Sequence, residues 1–316
     1  MISTSYILAK SLYCYTTAMK QIAIIGPTAS GKSDLAITMA LEHNAYILSI
    51  DSLSIYKEID IASAKPLQNE LSQVKHFGIN EIFLDTHFDV AIFVELYKKV
   101  VKEAELKKKN LIIVGGTSFY LKSLTTGLSE LPNYSDTTKL KVTEMLRDLP
   151  LAYAYLLEKD AVYMKHIKPN DAYRIEKMLL LVIESGMSPT AWFKRHPPQP
   201  TIPHLDIFNI EVERSVLRAR INQRTSKMLE MGIIDEVATL ELKYGRNHNA
   251  MKAIGIIEVL EYLDGYVSKK ELIESISTHT AQLAKRQQTF NRTQFKTCVS
   301  APLHKLPELI TQALRD

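Results

Sequence analysis

Short apolar runs alternate with amphipathic stretches over the first third of the chain. The runs at 21–25, 45–50 and 110–116 consist mainly of β-branched and other apolar residues, as in strands that are buried on both faces. Between them, apolar residues recur at helical spacing over 33–44 and 90–109. Strands that alternate with helices in this way predict a parallel sheet with helices on both faces.

The pattern changes after Leu131 and Pro132. From about residue 138 to 185 the chain shows only helical patterns, and the proline-rich stretch at 196–203 is typical of a stiff connector. A strand-like run returns at 205–212, and helical patterns fill most of the remaining residues. The α/β pattern is therefore interrupted once and then resumes.

These patterns predict three parts of the chain. An α/β core comprises 19–131 and 204–316, and a helical insertion domain comprises 132–203. We expect residues 1–18 to be a poorly ordered extension without chemistry.

Composition excludes several classes of protein. Hydrophobic residues make up 46% of the 316 positions and charged residues 23%, as in an ordinary globular protein. Cys14 and Cys298 are the two cysteines, too few for a disulfide framework, and no apolar run approaches the ~20 residues of a membrane span. We therefore expect a cytoplasmic protein with no membrane partner. The net charge of +4 does not by itself indicate a nucleic-acid partner.

The first strand leads into a glycine-rich loop that contains a lysine. Its residues match G-x-x-x-x-G-K-[ST] in full and are Gly26, Pro27, Thr28, Ala29, Ser30, Gly31, Lys32 and Ser33. In such a loop, backbone N–H groups and the positive end of the next helix hold phosphate oxygens. We expect Lys32 to contact the terminal phosphates and Ser33 to offer its hydroxyl to a phosphate-bound Mg²⁺. The predicted core is therefore a P-loop NTPase-like parallel sheet.

The P-loop leaves the reaction open. A nucleotide kinase, an ATPase and an enzyme with a diphosphate leaving group all need this loop. Asp51 ends the second apolar run, at the edge where ligands bind in parallel sheets. Its carboxylate could act as a general base or as an acid on the magnesium side. Alternatively, Asp51, Ser52 or Ser54 caps a helix.

Further motifs follow in order along the chain. The set runs from about Gln21 to Arg292 and reads GPTASGKS, DSLSIYKEIDIASAKP, VGGTSFYLKSL, NDAYRIEKML, RINQRTSKMLEMGIIDEV, KAIG and AKRQQTFNR. Together these motifs resemble the tRNA dimethylallyltransferase family, also called tRNA isopentenyltransferases. The resemblance implies transfer of the dimethylallyl group of dimethylallyl diphosphate to N6 of adenosine 37, next to the anticodon of tRNA. It also implies that the P-loop holds diphosphate rather than ATP, and that the anticodon stem-loop is a partner.

The same resemblance implies roles for individual residues. Asp51 is similar to the base that takes the proton from the adenine amino group, and Lys32 to the cation on the diphosphate. Thr117 is similar to a polar residue that touches the substrate near the transfer site, although a helix cap is the alternative for it. The further positions that resemble contacts to tRNA are Ser52, Leu53, Ser54, Lys139, Tyr173, Arg174, Ile175, Glu176, Lys177, Lys252, Ala253, Ile254, Gly255, Ile256 and Ile257.

The chain departs from the family within the last of these segments. It reads IGIIE where the family usually has IGYKE or IGYR, so that Ile256 and Ile257 replace a tyrosine and a basic residue.

Two other activities fit the same core, namely prenyl transfer to a free adenine nucleotide and a small-molecule kinase that uses ATP. The helical insertion favours tRNA over both, and so do six basic residues against two acids over 280–316, which could bind a phosphate backbone. We expect the protein to act as a monomer.

Overall fold

The computed structural model describes residues 19–315. The extension expected at 1–18, which includes Cys14, lies outside the described residues. Within 19–315, no helix combines the length and the apolar character that crossing a membrane requires.

A parallel sheet organises the core. Its strands are β1 (Gln21–Ile25), β2 (Ala45–Ser49), β3 (His76–Phe77), β4 (Asn110–Gly115), β5 (Asp206–Glu211) and β6 (Val299–Pro302). Their spatial order is β3-β2-β4-β1-β5-β6, and every pair of neighbours is parallel. Because β4 lies between β1 and β2, the loops that follow these three strands meet at one edge of the sheet.

Fourteen α-helices are found in the described residues. They are α1 (Lys32–Glu42), α2 (Gln68–Leu71), α3 (Val90–Leu106), α4 (Ser118–Thr126), α5 (Asp136–Met145), α6 (Leu149–Lys159), α7 (Ala161–Met164), α8 (Ala172–Ser185), α9 (Pro189–Arg195), α10 (Arg214–Glu230), α11 (Ile233–Tyr244), α12 (Ile256–Leu263), α13 (Lys269–Gln294) and α14 (Leu306–Arg315).

Both faces of the sheet are covered. Ile22 and Ile24 of β1 join a core cluster with residues of α1 and α14, such as Met39 and Ile310. Ala23, which alternates with them and so points to the other face, is also fully buried. The predicted α/β core with a P-loop-type sheet is therefore confirmed.

The described chain divides into two compact units. One contains the sheet and comprises 19–87, 96–117 and 206–315, and the other comprises 88–95 and 118–205. The second unit is helical and includes α4 to α9, built around α8. Buried residues of α8, such as Ile175, Leu179 and Val182, recur at helical spacing and pack into one cluster.

The second unit is wider than the insertion predicted at 132–203. It takes in 88–95 and starts its main segment at 118, and aromatic residues on α4 and at the start of α3 pack together there: the Tyr120 ring stacks on Phe93 with centroids 4.7 Å apart. At the other end of the unit, the backbone N–H of Ile202 donates to the Leu124 carbonyl at 2.9 Å. These contacts join residues that are distant in sequence, so local sequence patterns do not predict them.

Candidate active site

The P-loop lies between β1 and α1, where the sequence predicts it. Its backbone curls because Ala29 and Gly31 adopt positive φ angles of 62° and 89°. The first turn of α1 begins at Lys32, and the N–H groups of a first turn have no acceptor within their own helix. Backbone donors and the positive end of the helix thus converge on one point.

Lys32 lies across this loop, where its Nζ donates to the Pro27 carbonyl at 3.1 Å. Burial and the neighbouring Arg224 guanidinium lower the pKa of Lys32 to about 8, although the Asp51 carboxylate opposes this shift. Burial also lowers the pKa of Arg224, and Asp51 again opposes the change. Two cations and one carboxylate therefore share the site, and an anion that enters it gains from the excess of positive charge.

The cations beside Lys32 come from α10. Arg224 donates from Nη1 to the Thr28 hydroxyl at 3.2 Å, and Arg220 donates from Nη1 to the Ser30 carbonyl at 3.4 Å. Lys227 lines the same cavity as these two arginines. The i, i+4, i+7 spacing places the three side chains on one face of the helix.

Gln287 of α13 joins the P-loop to the turn that follows β4. Its Oε1 accepts from the Thr28 N–H at 2.8 Å, and its Nε2 donates to the Gly116 carbonyl at 3.1 Å. A Cβ at position 116 would lie 2.4 Å from Nε2, so a side chain there would push this amide out of its position. The side chain thus fixes the distance between the two loops.

Asp51 and Thr117 meet at the ends of β2 and β4. Asp51 Oδ1 accepts from the N–H groups of Leu53 and Ser54, at 2.9 and 3.2 Å. The Ser52 N–H in turn donates to Thr117 Oγ1 at 3.3 Å. The carboxylate therefore caps its own turn, whereas the predicted alternative was a helix cap, and residues 52–55 form a turn and no helix. Among the described residues, no hydrogen bond to its second oxygen is found.

Two cavities share the P-loop lysine. A smaller one of about 120 Å³ is lined by Asp51, Gly116 and Gln287, and a larger one of about 490 Å³ by Arg220 and Lys227. The residues that line both are Lys32, Ser33, Ala64, Pro66 and Arg224. A phosphorylated ligand held at Lys32 therefore lies within reach of the Asp51 carboxylate.

Ser33 is the predicted magnesium ligand, and its side chain is exposed at the first turn of α1. Its hydroxyl is a hard oxygen donor that faces both cavities. Within residues 19–315, no group of three or more His, Cys, Asp or Glu side chains is arranged to hold a metal ion. The residues present thus fit a Mg²⁺ that is held mainly by phosphate oxygens and water, as this ion prefers.

Two of the predicted tRNA-contacting sets lie in the second unit. Lys139 is exposed on α5, where it pairs with Asp136 at 2.9 Å. Arg174 is exposed on α8 and lies 3.5 Å from Asp171. Tyr173 is exposed as well, whereas Glu176 and Lys177 are half-buried. Ile175 is fully buried in the unit's core, so its side chain packs and does not present a surface to a ligand.

The third predicted segment, 252–257, lies in the sheet-containing unit. Lys252 and Ile257 are exposed, whereas Ile256 is fully buried as the first residue of α12. Glu258, also buried, accepts the Gly255 N–H at 2.6 Å and pairs with His279 at 2.6 Å. Of the two substituted positions, Ile257 alone presents its side chain to solvent.

The α10 cations and Gln287 are functional candidates that the sequence interpretation missed. The helical spacing of the basic residues on α10 is visible in the sequence, but a basic stripe on a helix usually faces solvent. Its orientation toward the P-loop follows from the packing of Leu217 and Ile221 with Ala284 of α13. That contact depends on the tertiary fold.

A P-loop between a strand and a helix, lined by half-buried cations and faced by a carboxylate, defines a P-loop enzyme whose substrate carries phosphate groups. A family model described as IPP transferase matches residues 54–294. The chain belongs to the IPP transferase family.

Relatives and solved structures agree with this family. A tRNA dimethylallyltransferase from Sulfurimonas denitrificans is 59% identical over 296 residues, which cover 94% of this chain and 100% of the relative. One from Helicobacter pylori is 40% identical and covers 90% of this chain and 91% of its own. The crystal structure of the Bacillus halodurans tRNA isopentenylpyrophosphate transferase superposes with a TM-score of 0.70 at 26% identity, covering 94% and 97% of the two chains.

The lowered pKa of Lys32 predicts pH-dependent binding of dimethylallyl diphosphate in the absence of tRNA. Below pH 8 the lysine is charged and binds the diphosphate; above its pKa of about 8 it must take up a proton when the ligand enters. The affinity should therefore fall above pH 8, by up to about 10-fold per pH unit. Titration calorimetry from pH 7 to 9.5 measures both the affinity and the proton uptake.

The control is Lys32→Arg, whose guanidinium stays charged over this range. This variant should lose the proton uptake even if it binds more weakly. An affinity of the unmodified protein that is constant up to pH 9.5 would contradict the prediction.

Proposed function

We propose that this chain transfers the dimethylallyl group of dimethylallyl diphosphate to N6 of adenosine 37 in tRNA. The bond from N6 to C1 of the allyl group forms, the bond from C1 to the diphosphate oxygen breaks, and the N6 proton leaves. The observation that carries the proposal is the smaller cavity, where Lys32 and Asp51 line one space. A cation for the leaving group and a base for the proton thus face the same reacting atoms.

The diphosphate is the leaving group, and it gains negative charge as the C1–O bond breaks. Lys32 and Arg224 meet this charge with two cations, and the N–H groups at the start of α1 add backbone donors. These groups are fixed before the reaction, because Arg224 is anchored on Thr28 and Thr28 on Gln287. Prearranged charge of this kind acts most strongly in the transition state.

We also propose Mg²⁺ as the cofactor, with the Ser33 hydroxyl as its protein ligand. When bound, this ion supplies further positive charge on the diphosphate oxygens.

The adenine amine is a weak nucleophile because its lone pair is delocalised into the ring. We assign the acceptance of its proton to Asp51, whose second carboxylate oxygen is left over after Oδ1 has accepted two backbone N–H groups. Thr117 is held beside it by the Ser52 N–H, which leaves the threonine hydroxyl proton available for a substrate acceptor. The target adenosine must leave the stacked anticodon loop to reach these groups.

The acceptor is tested by a comparison of substrates. We expect the protein to transfer the dimethylallyl group to an anticodon stem-loop whose target adenosine is followed by adenines, at least about 10²-fold faster in kcat/KM than to AMP, because base flipping and backbone contacts need the RNA. Reverse-phase analysis of the nucleosides with labelled dimethylallyl diphosphate measures both reactions.

Two results would contradict the proposal. Equal rates with AMP would identify an adenylate isopentenyltransferase. Phosphorylation of an acceptor with ATP, and no prenyl transfer, would identify a kinase. The monomeric state and the cytoplasmic location stay predictions.

Substitutions at Asp51 distinguish a role as general base from a role as the cap of its own turn. Asp51→Ala should lower kcat by about 10²–10⁴-fold while tRNA affinity persists. Asp51→Asn keeps an oxygen for the Leu53 and Ser54 N–H groups and so keeps the turn, but the amide cannot take a proton. It should therefore be nearly as slow as Asp51→Ala, as single-turnover kinetics with saturating tRNA will show.

Turnover of Asp51→Asn close to that of the unmodified protein would remove Asp51 from the catalytic role. A defect that higher Mg²⁺ concentration repairs would instead make Asp51 a metal-side acid.

The second unit supplies the proposed tRNA contacts at Lys139 and Arg174. Both side chains are exposed, and each has a single acidic neighbour on its own helix turn. Lys139→Ala and Arg174→Ala should each raise KM for tRNA and leave the affinity for dimethylallyl diphosphate unchanged. Each lost phosphate contact should flatten the salt dependence of tRNA binding by a slope of about 0.7 to 0.9.

Lys107→Ala is the matched control. Lys107 is an exposed lysine that precedes β4, so it lies at the edge of the sheet opposite to the P-loop. If Lys139→Ala or Arg174→Ala weakened binding of dimethylallyl diphosphate, that residue would not belong to a tRNA surface.

A further inference from the structure

The loop at 59–66 forms a wall that both cavities share. Ala64 and Pro66 line the smaller and the larger cavity alike, and Ile61 lines the larger one. Asp60 and Lys65 also line the larger cavity and Ser63 the smaller one. Lys65 pairs with Asp60, and Ser63 donates to the Ile59 carbonyl, so these polar groups are satisfied within the loop. The side chains of Ile61, Ala64 and Pro66 are apolar, whereas the groups proposed to hold the diphosphate are the P-loop amides, Lys32 and Arg224. The loop is therefore placed to contact the dimethylallyl group rather than the diphosphate.

Glu236 holds this loop from outside the cavities. One of its oxygens, Oε2, accepts the N–H groups of Asp60 and Ile61 at 2.9 and 2.7 Å, and Oε1 accepts the N–H of Ala62 at 2.9 Å. Glu236 lies in the first turn of α11 and is more than 170 residues away in sequence. A single carboxylate thus satisfies three consecutive backbone donors of an irregular segment.

The loop's other hydrogen bonds close it on itself or on its immediate neighbours. Ser63 donates to the Ile59 carbonyl at 2.5 Å. The buried Lys65 ammonium donates to the Tyr56 carbonyl at 2.5 Å and lies 2.7 Å from the Asp60 carboxylate. These bonds keep the loop compact, but they do not fix where the compact loop lies relative to the P-loop.

We infer that Glu236 is a positioning residue that sets the wall of the prenyl pocket. By tying the loop to α11, it holds Ala64 and Pro66 at the distance from Lys32 that a five-carbon allyl group needs. Displacement of such a wall by a fraction of an ångström loosens contact with the allyl group and leaves the diphosphate contacts intact. The inference rests on the proposed function, since it takes dimethylallyl diphosphate as the ligand.

Two ligands distinguish a positioned wall from a general loss of structure. Binding of dimethylallyl diphosphate and of inorganic diphosphate is measured by titration calorimetry at pH 7.5, with Mg²⁺ and without tRNA. Glu236→Ala should lower the affinity for dimethylallyl diphosphate about 10-fold and the affinity for inorganic diphosphate less than 2-fold. If Glu236 had a purely structural role, the substitution would lower the affinities for both ligands equally or leave both unchanged.

Matched variants complete the experiment. Asp235→Ala removes the adjacent acid of the same helix turn, which makes no side-chain hydrogen bond to the loop in the described structure, and should leave both affinities unchanged. Glu236→Gln is the second variant if Glu236→Ala does not fold. Its amide nitrogen cannot accept a hydrogen bond, so at least one loop donor loses its partner and dimethylallyl diphosphate should still bind about 3-fold more weakly.

The outcomes separate the two proposals. Equal losses for the two ligands, or no loss for either, would overturn the role of Glu236 while the proposed function stands. If the unmodified protein does not bind dimethylallyl diphosphate in this assay, the role of Glu236 is overturned, and the proposed function falls with it only if no dimethylallyl group is transferred to the stem-loop.

Discussion

The positive charge at the start of α1 is the constraint on which the site depends. Burial lowers the pKa of both Lys32 and Arg224, and the Arg224 guanidinium lowers the pKa of Lys32 further. Asp51 offsets this charge only in part. Charges removed from water are unfavourable until an opposite charge accompanies them, so the site is completed by an anionic ligand. The strands and turns around the P-loop hold Lys32, Arg224 and Asp51 in these positions.

Two hydrogen-bonded links hold the ends of three strands in register. Gln287 ties the loop after β1 to the turn after β4, and the Ser52 N–H with Thr117 Oγ1 ties the turn after β2 to the end of β4. In each link, one partner is a backbone group. The separation between the cations proposed for the leaving group, Lys32 and Arg224, and the proposed proton acceptor, Asp51, is thus set by the sheet and its turns.

Local sequence patterns predicted those parts of the site that are continuous in the chain. The P-loop and Asp51 follow apolar runs whose length and composition identify them as central strands. By contrast, β3 and β6 are short edge strands without a β-branched run of useful length, and no strand was predicted there. Arg224, Gln287 and Glu236 could not be assigned because each acts through a segment far away in sequence. The compact helical unit reaches beyond the predicted 132–203, to 118 and to the start of α3, for the same reason, since the stacking of Tyr120 on Phe93 is a tertiary contact.

The wide sequence separation of these partners affects the protein during its own synthesis. The Thr28 hydroxyl is hydrogen-bonded to Arg224, 196 residues later in the chain, and the Thr28 N–H to Gln287, 259 residues later. Neither bond can form until these residues have been synthesised. The ribosome delivers the chain from the N-terminus, so the P-loop emerges long before the groups that anchor it. A nascent chain shorter than 287 residues cannot build the anchored phosphate cradle, whatever strands it has already formed. Assembly of the catalytic site is therefore a late event in biosynthesis.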